Sequence, residues 1–402
     1  MRRIALSIFV LLTSLKVFCQ TYTIDDYRKC IDKYGMDAKE YIFSLFKEAD
    51  IVVLGERDHR DTTQYKFILE LLSDPRFART VGYVYTEVGV NNMTEKVNKL
   101  IKGQYVNEQA FTDSLYAYTR NEVFYPVWEK YNRLQFLHGL YEVNRQSKHK
   151  ITLGLTDCEF SWDTIHTPEQ YRKFFYSPAC EYRDSTMTAN FIQMYNNQRP
   201  HKGKRKALII TNHPHAINAS IKNRDYSRQG KWLKQHFGED KVKIVLLNWL
   251  DYKNLNNKHT PLVANGLWDA AFELIETKPF GLSIKDTPYG DTPYADKTYG
   301  EIKWQDVTDG IIYYTPIYDQ RLTIGAKREL VPEDFKEEVF RRQNIYRKAV
   351  DSGTPEIPAD ELQQYYNRFV TFPATYPEEP DSVKIRIQKI VKMNNEIKEK
   401  NE

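Results

Sequence analysis

Short apolar, β-branched runs recur along the chain at Ile51 to Leu54, Val81 to Thr86, Ile151 to Leu155, Ala207 to Thr211 and Val242 to Leu247. Between them lie stretches whose apolar residues recur at helical spacing: Asp61 to Ser73, the long region Met93 to Gln146, Tyr182 to Asn196 and Tyr226 to Phe237. Strands alternating with helices predict an α/β fold with a mostly parallel central sheet flanked by helices. Phe280 to Ile284 and Ile311 to Thr315 predict two further strands, antiparallel at the edge.

The connection from Asn91 to Lys150 exceeds an ordinary crossover and carries Phe111, Leu115, Tyr118, Phe124, Trp128, Tyr131, Leu134 and Leu137. It predicts a helical cap insertion over residues 92–149. Lys285 to Gly300 holds the near-repeat Asp286-Thr287-Pro288-Tyr289 and Asp291-Thr292-Pro293-Tyr294, whose prolines predict a loop. From 331 to 402 the chain reads as a helical extension, with helices over Glu333 to Val350 and Glu361 to Phe369 and a frayed Lys/Glu-rich end. The α/β domain proper is expected over 20–330.

Length and charge change this picture only at the N-terminus. Residues 1–19 combine Arg2 and Arg3 with an apolar run from Ile4 to Leu15, the pattern of a cleavable export signal. The run is shorter than the roughly 20 residues that span a bilayer, and no later segment approaches that length. Export to the periplasm or the exterior is therefore expected, with no transmembrane segment in the mature chain. Bulky Phe18 before Cys19 argues against a lipid anchor there. Loss of Arg2, Arg3 and Lys16 lowers the formal charge from +4 to +1, which points to no nucleic-acid partner. Cys30, Cys158 and Cys180 have no metal-type spacing, so at most one disulfide forms and one thiol is left over.

In open α/β sheets functional groups collect beyond the carboxyl ends of the strands. Here the first strand ends in Glu56 and His59, the second in Glu87, the third in Asp157 and Glu159, and the fourth in Asn212, His213 and His215. A carboxylate or imidazole directly after an apolar strand is costly to bury unless it is paired, protonated or metal-bound. Asp58, Asp61 and Thr62 are explicable as caps of the following helix. Glu56 and His59 are harder to explain that way, and a histidine oriented by a carboxylate is in principle a water-activating pair. There is no glycine-rich phosphate loop, G-x-S-x-G elbow or H-E-x-x-H, which removes the usual nucleotide, serine-hydrolase and zincin readings.

These residues resemble the erythromycin esterase-like family, part of a wider superfamily with haem-uptake and Tiki-type protease relatives. The resemblance runs from about Ile51 to Tyr314. It rests on Val53-Leu54-Gly55-Glu56-Arg57-Asp58-His59, similar to a strand followed by G-E-x-x-H, and on Glu87 after the next strand. Gly154-Leu155-Thr156-Asp157 is similar to the family's G-x-D, and Arg183 to Asn190 to its R-D-x-x-M-x-x-N helix. Thr211-Asn212-His213-Pro214-His215 stands where the family shows A-H-N-x-H.

The resemblance implies that His59 deprotonates water, that Glu56 and Glu87 orient it, and that His215 polarises the carbonyl of an ester or lactone. Asp157, Arg183 and either His213 or Asn212 are then substrate-binding. The chain departs from the macrolide esterases in the helix after the first loop, where they carry an arginine and this chain offers Gln64, Lys66 and Ile68. On this reading no cofactor is needed and the partner is a small molecule, bulky and apolar if cap aromatics with Tyr289 and Tyr294 line its pocket. Alternatively Glu56, His59, Glu87 and His215 ligate a divalent metal ion for ester or peptide hydrolysis, as Tiki-type relatives imply, or the fold captures haem without turnover. Arg183 and Asp184 are equally explicable as a local pair at a helix start.

Overall fold

The computed structural model describes residues 22–125, 130–200, 203, 205–248, 261–276, 279–325, 328–351, 357–367, 372–374 and 378–401. The expected export signal with Cys19 lies outside these residues, as does Trp128 of the cap.

Among the described residues an eight-stranded sheet forms the centre. Its strands are β1 (Met36–Asp37), β2 (Ile51–Glu56), β3 (Tyr83–Val90), β4 (Thr152–Asp157), β5 (Ala207–Asn212), β6 (Val242–Leu247), β7 (Phe280–Ser283) and β8 (Gly310–Tyr313). Their spatial order is β1-β7-β8-β6-β2-β5-β3-β4. The run from β8 to β4 is parallel, whereas β7 pairs antiparallel with β8 and β1 antiparallel with β7. The predicted antiparallel edge is thus confined to β7, extended by the unpredicted two-residue β1, while β8 belongs to the parallel body.

Parallel strands covered on both faces are apolar throughout, and successive side chains go to opposite faces. Val52 and Leu54 join Ile68, Leu71, Val84 and Leu208 in one core. Ile51 and Val53 join Phe191, Ile209, Leu233 and Ile244 in the other. β3 begins later than the pattern predicts, because Val81 closes the helix Pro75–Thr80 by donating its N–H to Phe77 and Gly82 then turns the chain at φ +70°.

The cap consists of the helices Thr94–Lys102, Glu108–Thr119 and Tyr131–Gln146. Among its described aromatics Phe111, Tyr118 and Phe124 are core: Phe111 stacks on Tyr141 at 3.8 Å, and Leu115, Phe124, Leu134 and Leu137 are buried with the sheet's own side chains. Tyr289 and Tyr294 are also buried, packed with Trp268 and Trp304, so they do not line an open pocket. The supposed loop around them contains a helical turn, Pro288–Asp291, capped by Thr287.

The C-terminal extension is built onto this body. In the helix Lys336–Val350, Arg342 donates to the Arg120 carbonyl at 2.6 Å and anchors it to the cap. The end expected to fray is the last turns of the helix Pro380–Asn401, which buries Val383 and Ile387 beside Trp268. A separate antiparallel pair joins β9 (Leu322–Ile324) to β10 (Phe372–Ala374).

Candidate active site

Four adjacent strands, in the order β2, β5, β3, β4, deliver their carboxyl ends to one edge of the sheet. Glu56 is the register partner of Asn212 across β2 and β5. A Cβ on Gly55 would lie 2.3 Å from Leu246 and 3.0 Å from Ala216. Glycine thus leaves room for the helical turn His213–Ala216 and the Leu246 side chain to pack closely on the end of β2.

The loop after Glu56 is locked from inside. Buried Arg57 pairs with buried Asp61 at 3.0 Å, and the Tyr314 hydroxyl donates to the same carboxylate. Gln64 accepts from the Arg57 N–H at 2.8 Å and donates to the Asp58 carbonyl. Asp61 caps the helix Thr62–Ser73, as expected, but Asp58 instead pairs with Arg60 at 2.7 Å. Asn132 of the cap holds the His59 carbonyl at 2.9 Å. The outcome is a fixed imidazole: His59 Nδ1 lies 2.8 Å from Glu56 Oε2, and Nε2 faces Glu87 Oε1 at 3.7 Å.

Glu87 reaches this point because β3 is irregular there. Its register on β4 shifts between Thr86 and Val90, and Gly89 takes φ +115°. Such bulges re-aim a side chain. Glu87 Oε2 accepts from the Thr211 hydroxyl at 3.1 Å and the Asn212 N–H at 2.7 Å, while Oε1 lies 3.0 Å from Arg183 Nη1. Arg183 also grips Asp157 through two parallel bonds of 2.8 Å.

His215 completes the group. Its Nδ1 is 2.7 Å from Asp184 Oδ1 and its Nε2 is 3.5 Å from Glu87 Oε1. Asp184 is in turn held by the Tyr226 hydroxyl at 2.6 Å, Arg228 Nη1 at 3.2 Å and the Gln229 N–H at 3.1 Å. The two histidines are therefore arranged alike: each is held at Nδ1 by its own carboxylate, and each turns Nε2 toward the same oxygen of Glu87.

The charges follow from this packing. For Glu87, burial works to raise the pKa, but His215, Arg183 and His59 win and hold it well below the usual carboxylate range. For Arg183, burial works against the charge, and Asp157 and Glu87 more than offset it. For His59, burial pulls the pKa down while Glu56 and Glu87 push it up, with a net rise to about 10.

Six of the expected residues are thus brought together: Glu56, His59, Glu87, Asp157, Arg183 and His215. His213 is not. It is buried on the other side of the short helical turn, 2.7 Å from the Tyr294 hydroxyl and against Trp304, and burial lowers its pKa to about 3. Asn212 meets the cluster through its backbone N–H. Arg183 and Asp184 do not pair with each other but hold opposite ends of the site. Sequence reasoning missed Asp184, Tyr226 and Arg228 as partners of His215, although the R-D pair of the motif marks Asp184. It also missed Tyr65, whose hydroxyl sits on Glu56; burial and that carboxylate hold the phenol well above its ordinary pKa.

The metal alternative does not fit this arrangement. Glu56 lies on the Nδ1 side of the His59 ring and Glu87 on the Nε2 side, so the four donors do not face one point. Arg183 stands within 3.0 Å of Glu87 and 3.4 Å of His215 Nε2, where a second cation would be repelled. Among the described residues no group of three or more His, Cys, Asp or Glu is arranged to hold an ion.

No protein-family model matches the sequence, and no curated protein matches it either. Solved structures do align. A succinoglycan biosynthesis protein matches over 72% of this chain and 96% of its own, at 12% identity and a TM-score of 0.43. A variant of the erythromycin esterase EreC in its open conformation matches over 68% and 92%, at 12% identity and 0.41. ChaN of Campylobacter jejuni, described with cofacially bound haem, matches over 70% and 96%, at 11% identity and 0.35.

Proposed function

We propose that this chain is an exported, metal-independent hydrolase in which His59 Nε2 takes a proton from the water that attacks an ester or lactone carbonyl of a small molecule. The observation that carries this reading is the pair of carboxylate-anchored histidines, His59 on Glu56 and His215 on Asp184, converging through Nε2 on Glu87. A carboxylate at Nδ1 fixes the tautomer with Nε2 free to exchange a proton and stabilises the imidazolium that forms. On this reading His215 polarises the carbonyl oxygen, and the Arg183 guanidinium, 3.4 Å from His215 Nε2, adds a fixed positive charge beside the developing oxyanion. The ester or lactone class comes from the resemblance of the strand-end motifs to the erythromycin esterase-like family, and export from the Arg2/Arg3 leader.

With a pKa near 10, His59 rests protonated at neutral pH, so its basic fraction grows as pH rises. The test is a panel of aryl esters, lactones and peptides assayed before and after exhaustive chelation. Ester or lactone turnover that survives chelation and falls about 100-fold to 10,000-fold in His59→Ala supports the reading. Turnover that disappears on chelation and returns with a divalent ion overturns it.

A further inference from the structure

Three cysteines fall among the described residues, and two of them meet beside the site. Cys158 follows Asp157 directly and donates its N–H to that carboxylate at 2.8 Å. Its buried Sγ lies 3.2 Å from the carbonyl of Ala179, the residue before Cys180, and the two thiols touch each other. Cys180 sits in the short turn Pro178–Glu181, which leads into the helix that begins at Arg183. The thiol pair therefore spans the Asp157–Arg183 ion pair. Cys30 lies in the opposite core, among Ile24, Tyr27 and Tyr289.

We infer that Cys158 and Cys180 form a disulfide that ties the end of β4 to the helix carrying Arg183 and Asp184, made by exchange with a small-molecule disulfide such as oxidised glutathione. The two thiols have unequal parts. Cys180 is half-buried and within reach of solvent, whereas Cys158 is buried. Cys180 as thiolate attacks one sulfur of the glutathione disulfide, forming a mixed disulfide and expelling one glutathione thiolate. Cys158 gives up its proton and attacks Cys180 Sγ, expelling the second. The protein dithiol is oxidised, one glutathione disulfide is reduced, and the two protons given up by the cysteines end on the two glutathione thiolates to give two thiols.

The bond closes a loop holding Trp162 and Tyr171, which restricts the unfolded chain and adds stability. It also fixes the spacing between Asp157 and the Arg183 helix. The site described above does not depend on it, because the ion pair is already made with the thiols reduced.

The experiment uses the full chain with its four cysteines. Reduced protein is incubated with oxidised glutathione, quenched in acid, alkylated, digested and mapped by mass spectrometry. The expected result is one cross-linked peptide pair joining Cys158 to Cys180, with Cys30 alkylated and the thermal midpoint raised over the reduced chain. In Cys158→Ser, a glutathione adduct accumulates on Cys180. The proposal is overturned if folded wild-type chain leaves both cysteines alkylated, retains an unresolved adduct on Cys180, or pairs either of them with Cys19 or Cys30.

Discussion

The site is decided by which side chain each charged group chooses. Arg183 has an adjacent residue of opposite sign in Asp184, yet it turns to Asp157 and Glu87 while Asp184 turns to His215. Consecutive residues on a helix point about 100° apart and do not face each other, which is why a local reading of this pair fails. The strand-end rule made Glu56, His59, Glu87 and His215 legible, because each lies at or within a few residues of the end of an apolar run. Tyr226 was not legible: it reaches Asp184 from a loop 42 residues away, and no local pattern encodes that contact. Removing Arg183 takes from two buried carboxylates, Asp157 and Glu87, the cation that bridges them. Arg183→Met is therefore expected to cost about 3–5 kcal/mol of stability, measured by urea unfolding. Glu87→Gln removes the negative charge that both Nε2 atoms face; it is expected to lower kcat while leaving the far-ultraviolet circular dichroism unchanged.

At the scale of elements, the turn His213–Ala216 separates two histidines that look equivalent in the sequence. Residues two apart on a helix lie on nearly opposite faces. His215 thus turns to the site and His213 into the core beside Tyr294. Because His213 has a folded pKa near 3, below the unfolded value of about 6.5, it is neutral in the native chain. Its stabilising contribution is full above pH 6.5 and is lost as pH falls toward 3, since the unfolded chain takes up the proton first. The unfolding free energy should fall over that window, and less steeply in His213→Gln. Close packing at Gly55 gives a second expectation: Gly55→Ala forces the strand end away from Leu246 and should cost about 1–3 kcal/mol, read as a lower urea midpoint. Both features depend on what packs across the sheet, so neither the split of the two histidines nor the demand for glycine was readable from the motif.

Taken as a whole, the molecule is an α/β sheet enlarged by a cap and a C-terminal extension that share its core. The parallel body and the helices that follow its strands were legible from periodicity, because long amphipathic stretches are specified locally. The direction of β8, the existence of β1 and the order of the helix Pro380–Asn401 were not, since each is set by a partner distant in sequence. Val383 and Ile387 show that the tail is part of the fold. Ile387→Ala should therefore lower stability by about 2–5 kcal/mol, measured by calorimetry, although it lies far from the site.

The proposed general-base role of His59 is tested most directly by the pH dependence of kcat/KM, taken in the presence of chelator on an ester that His59→Ala does not turn over. Because kcat/KM reports the free enzyme's ionisations, it should rise from pH 7 and level near pH 10, and Glu56→Gln should move that limb to lower pH by removing the nearest charge that holds the proton on His59. A wild-type profile that falls across this range, or a limb that Glu56→Gln leaves in place, would contradict the account.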